Sequence, residues 1–286
     1  MSQGVDHFFY SNFQILPDPR TKDWFPGTNF NLTVAVVVVY LIVCLFLGPL
    51  LMKSREAMQL KNCLAGYNLT MVLLSAYIAF ESFMGGWGTH YRLLCQPIGA
   101  PDDKASMRVI SAFVFLKFKH SFYFQMVRAH YVYFVSKFIE LMDTVFFVLR
   151  KKYSQISFLH VYHHGVVVLM SYCSFRYLPD GHGTLIVLLN SLIHVLMYAY
   201  YFLAALGPKV QRFLWWKKYL TTMQLVQFVF TMAHASYVFH PSCNYPRPLV
   251  IVLMINSGMF LLLFVNFYRK SYKEGKHITG KKPKVK

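Results

Sequence analysis

Of 286 residues, 56% are hydrophobic and only 14% charged, far less charge than a soluble domain of this length carries. That balance excludes an ordinary soluble enzyme and points to an all-α polytopic membrane protein. The net charge of +18 invites a nucleic-acid reading, but the cations follow alternate apolar runs, which argues against one.

In chain order, the opening residues are polar and mixed, with no short apolar region behind a basic one, so no cleavable signal peptide is expected. The first apolar run spans Leu32 to Leu51 and then serves as the insertion signal; Lys53, Arg55 and Lys61 follow it. The second covers Leu64 to Met84. The third runs from Tyr131 to Leu149 and ends in Arg150-Lys151-Lys152. The fourth covers Ser157 to Phe175. The fifth, Gly183 to Leu206, precedes Lys209, Arg212, Lys217 and Lys218. The sixth spans Tyr219 to Phe239, and the seventh Leu249 to Phe267, ahead of a basic tail over 271–286. Each is long enough for one crossing of about 20 residues. With seven crossings, the basic segments all fall on one side, which the positive-inside rule makes cytosolic. The amino terminus is then lumenal. Orientation alone explains this charge, although cations at the mouth of a bundle also suit an anionic, nucleotide-bearing thioester.

Cys95 and Cys243 follow the second and sixth spans, on the oxidising side where a disulfide persists; spacing alone does not fix the pairing. Cys44, Cys63 and Cys173 read as packing residues in or near helices. In the tail, Lys282 and Lys284 stand fifth and third from the carboxyl end. That spacing resembles a dilysine retrieval signal of the endoplasmic reticulum, which needs a cytosolic tail.

The polar residues inside the spans carry the chemistry. Ionisable groups in a membrane span are rare and mark sites. In the fourth span, His160, His163 and His164 stand at i, i+3 and i+4, on one helix face. In the third, Lys137, Glu140 and Thr144 form a stripe with Asp143 at its edge, a set able to neutralise itself. In the fifth, Asn190, His194, Tyr198 and Tyr201 share a stripe. In the sixth, Thr221, Gln224 and Gln227 supply groups that bond across helices. His234, further along, reads as structural.

Two chemistries fit this pattern. Imidazoles ligate metals, and membrane di-iron desaturases use several histidine boxes. Of twelve histidines, however, only His160, His163, His164 and His194 are placed to converge, too few for a di-iron centre; a single metal stays open. The other chemistry is nucleophilic and acid–base work by neutral imidazole, which needs no metal.

Lys137-x-x-Glu140-x-x-Asp143-Thr144, His160-x-x-His163-His164, His194-x-x-Met197-Tyr198-x-Tyr200-Tyr201 and Thr221-x-x-Gln224-x-x-Gln227 occur in that order. Together with Phe146 to Lys152 and Leu214 to Tyr219, they resemble the very-long-chain fatty acid elongases of the animal type, the membrane 3-oxoacyl-CoA synthases. The resemblance covers Asp18 to Lys270. Against the family's form, Val109 to Gln125 looks inserted. Lys117, Lys119 and His120 make it a poor span, so it is read as a lumenal or interfacial segment of a single transmembrane domain over 1–270.

The resemblance implies condensation of a long-chain acyl-CoA with malonyl-CoA to a 3-oxoacyl-CoA two carbons longer, with loss of carbon dioxide and CoA and no cofactor. It implies seven helices, six of them forming an inverted barrel around an acyl tunnel. His163 would be the acyl-accepting nucleophile and His194 its partner across the tunnel. His160 and His164 would orient it. Asn190, Gln224 and Gln227 would steady oxyanions. Lys137, Glu140, Asp143, Thr144, Tyr198, Tyr201 and Lys217 would line the substrate's path. The partners implied are membrane lipid, a second copy of the chain, and the ketoacyl reductase, dehydratase and enoyl reductase of the elongation cycle.

Overall fold

The computed structural model describes residues 3–99 and 125–274. Apart from Gln125, the segment Val109–Gln125 lies outside the described residues, as do Lys282 and Lys284. The described chain is all-helical. Its helices are α1 (Gln3–Phe13), α2 (Phe30–Met52), α3 (Lys61–Trp87), α4 (Gln125–Glu140), α5 (Met142–Leu149), α6 (Phe158–Tyr177), α7 (Leu185–Ala205), α8 (Lys217–Ser236) and α9 (Arg247–Tyr268). Helix α1 falls in the stretch that the sequence left without an element. Its residues mix phenylalanines with polar groups, and it is held at its far side by Phe9 against Tyr177.

Local signals set the helix starts. Asn29 caps α2 by accepting from the Leu32 N–H, and Ser157 caps α6 by accepting from the His160 N–H at 3.3 Å. Both occupy donors that a helix start otherwise leaves without partners. A proline in its first turn opens α9. The third expected span is one rod turned at Leu141 between α4 and α5. The turn sends Asp143 toward α7 and Thr144 toward α2 and α6.

Large apolar side chains face outward, among them Phe46, Leu50, Leu73, Phe80, Ile255 and Leu262. Lys137, Glu140, Thr144, His194 and Gln227 are buried. This reverses the soluble pattern and suits a hydrocarbon solvent. Among the described residues, four helical segments are long and apolar enough to cross a membrane: Phe30–Met52, Lys61–Trp87, His182–Ala205 and Arg247–Tyr272. The other expected spans, α4 with α5, α6, and α8, are helical too. Their composition is diluted by the very residues singled out above: Lys137, Glu140 and Asp143, the three histidines of α6, and the lysines and glutamines of α8. The protein is a polytopic membrane protein.

Helix α3 lies along α7 and beside α4; α4 packs on α6, α6 on α9, α9 on α8, and α8 on α7. Helix α2 stands against α6 and α5. At one end the basic segments meet. Lys151 Nζ donates to the Lys53 carbonyl at 3.5 Å, and the Met58 N–H donates to the Leu149 carbonyl at 3.0 Å.

The opposite end is tied by polar contacts. Arg20 bridges Asp18 and Asp180 at 2.7 and 3.0 Å, and the Tyr91 hydroxyl donates to Asp180. Arg176 pairs with Asp6. Gly181 has φ +80°, and a Cβ there would meet the Pro97 carbonyl oxygen at 2.8 Å, so only glycine fits.

A disulfide joins Cys95 to Cys243 at this end. It closes a loop of 148 residues, so its loss is expected to cost roughly 2–5 kcal/mol. Cys95→Ser with Cys243→Ser should therefore melt several degrees below the parent in detergent, and non-reducing peptide mapping of the parent should return the linked pair. An unchanged melting temperature would contradict the stabilising role.

Candidate active site

Two of the stripes read in the sequence interlock behind the histidine box. From α4, Lys137 Nζ donates to Glu140 Oε1 at 2.7 Å and to Asn190 Oδ1 of α7 at 3.1 Å. It also lies 4.3 Å from the centre of the Tyr133 ring. The Tyr133 hydroxyl donates to the same Asn190 oxygen at 3.2 Å. Both residues of the ion pair are almost wholly buried. Such a pair persists only when each charge is neutralised and its remaining sites are bonded.

His194 brings its Nδ1 to 3.2 Å from Glu140 Oε1. The approach is close but out of line for a hydrogen bond, and that nitrogen has no other partner among the described residues. His194 thus meets the same carboxylate as Lys137. One turn along α7, the Tyr198 hydroxyl donates to Asp143 Oδ2 at 2.8 Å.

The box itself divides. His160 Nε2 shares a 2.8 Å hydrogen bond with Thr144 Oγ1, which in turn sits 2.9 Å from the Tyr40 hydroxyl of α2. His160 also stacks obliquely on His164, ring centres 4.3 Å apart. His164 is buried against both neighbours, 5.4 Å from His163. His163 turns the other way, toward Phe260 of α9 at 5.2 Å, and opens into a cavity.

That cavity, of about 110 Å³, lies between α4, α6, α7, α8 and α9. His163 is the box histidine that lines it. Asn190 and Gln227 share its wall, and Val167, Met170, Ile186, Val187 and Leu253 make most of the rest apolar. Asn190 has its carbonyl oxygen taken by Lys137 and Tyr133, which leaves its NH2 to offer. Gln227 is buried with its own NH2 unpartnered. The arrangement is one imidazole and two amide donors at an apolar chamber, backed by a buried ion network.

Other expected residues lie apart from this chamber. Gln224 touches Met197 sulfur at 3.8 Å, and Thr221 is buried one turn earlier. Lys217 is exposed at the start of α8, at the basic end. Tyr201 is 42% exposed, with its ring beside Tyr198. His182 and His234 stack at 3.8 Å, and His234 Nε2 bonds the Leu93 carbonyl, a structural use. Cys63, read as packing, is exposed; Cys44 is buried. Among the described residues, no three His, Cys, Asp or Glu converge as a metal-holding group.

Some lining residues escaped the sequence. Tyr133 and His130 stand four and seven residues before Lys137, on the same helical stripe, and that spacing would have found them. Tyr40 is, with Thr33, one of two hydroxyls in the most apolar helix. Asn256, also on the cavity wall, accepts from the Tyr162 hydroxyl at 3.4 Å.

Comparison with known proteins agrees across most of the chain. The model of the family described as ELO: GNS1/SUR4 matches residues 25–280. A very long chain fatty acid elongase of Aedes aegypti is 41% identical over 260 residues, covering 91% of this chain and 68% of that protein. Very long chain fatty acid elongase 7 of Rattus norvegicus is 38% identical over 272 residues, covering 94% and 91%. Elongase 1 of Mus musculus is 40% identical over 263 residues, covering 91% and 88%.

Proposed function

The chain belongs to the ELO (GNS1/SUR4) family, and we propose that it is the condensing enzyme of fatty acid elongation. In this reading, acyl-CoA and malonyl-CoA give a 3-oxoacyl-CoA two carbons longer, carbon dioxide and free CoA. The observation that carries the chemistry is His163 on the wall of an apolar cavity, with Asn190 and Gln227 beside it.

The reaction runs in two stages. A neutral nitrogen of His163 attacks the thioester carbonyl. The carbon–sulfur bond breaks, CoA leaves, and the ring's N–H proton goes to the departing thiolate. The acyl group is now on the imidazole. Malonyl-CoA then loses carbon dioxide, and the electron pair left on its α-carbon attacks the acyl carbonyl. The acyl–nitrogen bond breaks, and His163 takes up one proton. In both stages an oxyanion forms, and the Asn190 and Gln227 NH2 groups are the donors fixed to meet it. Gln224 and Thr221 keep α8 in register beside them.

His194, behind the wall, tunes and positions through Glu140. His160 and His164 hold His163 in place, and His160 is held in turn by Thr144. Asp143, Tyr198 and Tyr201 close the chamber toward the basic end. The six helices in mutual contact, α3, α4 with α5, and α6 to α9, then act as an inverted barrel around the acyl chain, within a seven-crossing bundle. Lys217 and the neighbouring lysines meet the phosphates of CoA at the cytosolic mouth.

The assay is malonyl-CoA-dependent elongation by the purified protein with a panel of acyl-CoA lengths. Labelled malonyl-CoA should give products two carbons longer and one carbon dioxide per condensation. Metal analysis of the same sample should show turnover without stoichiometric iron. Acyl chains desaturated or hydroxylated with unchanged length would overturn the reading.

The reading places the protein in the endoplasmic reticulum membrane, amino terminus in the lumen and basic tail in the cytosol. A tag on the tail of intact microsomes should then be cut by added protease, while one at the amino terminus is protected. A protected tail would invert the topology and remove both the CoA-binding role of Lys217 and the retrieval role of Lys282 and Lys284.

A further inference from the structure

The far end of the cavity carries a group that a plain hydrocarbon chain does not need. His130 of α4 lines the cavity, is 0% exposed, and has neither ring nitrogen in a hydrogen bond. The Pro179 backbone carbonyl lies close enough to act on the ring, and it serves at most one of the two nitrogens. An imidazole always has a donor or acceptor at each nitrogen. Burying one without a partner is costly.

Its position along the chamber follows from two helices. The His130 ring sits 6.1 Å from Phe175. Phe175 is twelve residues beyond His163 on α6, about 18 Å at 1.5 Å per residue. On α4, His130 is ten residues from Glu140, the partner of His194, or about 15 Å. An extended acyl chain held at His163 reaches that depth with roughly 12–14 carbons, taking about 1.25 Å of advance per bond against this helical ruler. Tyr133 and Ser171, on the same wall, do not bond it: the Tyr133 hydroxyl donates to Asn190, and Ser171 donates to the Val168 carbonyl within its own helix.

We infer that His130 is a specificity residue that hydrogen-bonds a hydroxyl carried near the far end of the acyl chain, so that ω-hydroxyacyl-CoA is a preferred substrate class. This deepens the elongase reading and rests on it. The preference should be about three- to tenfold, the worth of one neutral hydrogen bond. It reflects an imidazole left without a partner when the chain ends in a methyl group.

The test compares ω-hydroxytetradecanoyl-CoA with tetradecanoyl-CoA on the full-length protein. In the wild type, kcat/KM with malonyl-CoA should favour the hydroxylated chain about three- to tenfold. His130→Phe and His130→Leu should each bring that ratio to one or below, and His130→Asn should retain part of it. Thermal shift with the same two acyl-CoAs, without malonyl-CoA, should rank them in the same order and reports folding of the variants. Equal kcat/KM values in the wild type, or a preference that survives His130→Phe, would overturn the inference while leaving the elongase reading intact. Ranked binding with no condensation would keep the inference about the cavity and reject the elongase reading.

Discussion

His163→Ala should lower condensation roughly a thousandfold or more, the scale seen when a nucleophile that works with partners is removed. The side chain faces the cavity and touches His164 and Phe260 only by ring packing. Its removal should therefore leave the fold in place, with the Cys95–Cys243 link formed and the melting temperature near the parent's. CoA release from acyl-CoA alone should vanish with it. His194→Ala should slow both stages severely yet leave slow acylation, because His194 stands behind the wall at Glu140 rather than on it. Loss of one member of a cooperating set can cost nearly as much as loss of all. For that reason, CoA release before malonyl-CoA is added separates the roles where the overall rate does not. His163→Ala with near-normal CoA release would exclude His163 as the acyl acceptor.

Glu140→Ala should be the most damaging change to stability, by about 3–5 kcal/mol. Lys137 would keep only Asn190 and the Tyr133 ring as partners, with its charge uncompensated in a buried site. Lys137→Ala should cost a similar amount, by stranding the carboxylate. Lys137→Met with Glu140→Leu removes both charges and should recover much of the loss, while activity stays low because His194 has lost its partner. Melting temperatures of the four proteins in one detergent check this. A double variant less stable than both singles would contradict the claim that the pair's cost is unpaired charge.

The helices were legible because bilayer thickness fixes their length, and because apolar runs between basic segments mark their ends. Polar spacing within the spans placed Lys137 beside Glu140, since residues three and four apart share a helix face; that His194 meets the same carboxylate is a contact between helices that spacing does not show. The same rule put three histidines on one face, but it could not say which of them turns to the cavity. That depends on Thr144 and Tyr40 capturing His160, a contact between helices far apart in sequence. Tyr133 and His130 lie on the Lys137 stripe, which points to them; what each of them faces is set by the neighbouring helices. The turn at Leu141 leaves no glycine or proline to announce it, and helix α1 is too short and too polar to stand out beside the membrane runs, although Val5, Phe9 and Phe13 share one of its faces.

The acyl-imidazole itself can be weighed. Wild-type protein incubated with acyl-CoA, without malonyl-CoA, should gain the mass of one acyl group, and peptide mapping should place it on His163. Addition of malonyl-CoA should discharge it as 3-oxoacyl-CoA, and His163→Ala should gain nothing. An acyl group on Cys173, which also lines the cavity, or turnover with no acyl-protein at any time, would contradict the two-stage mechanism.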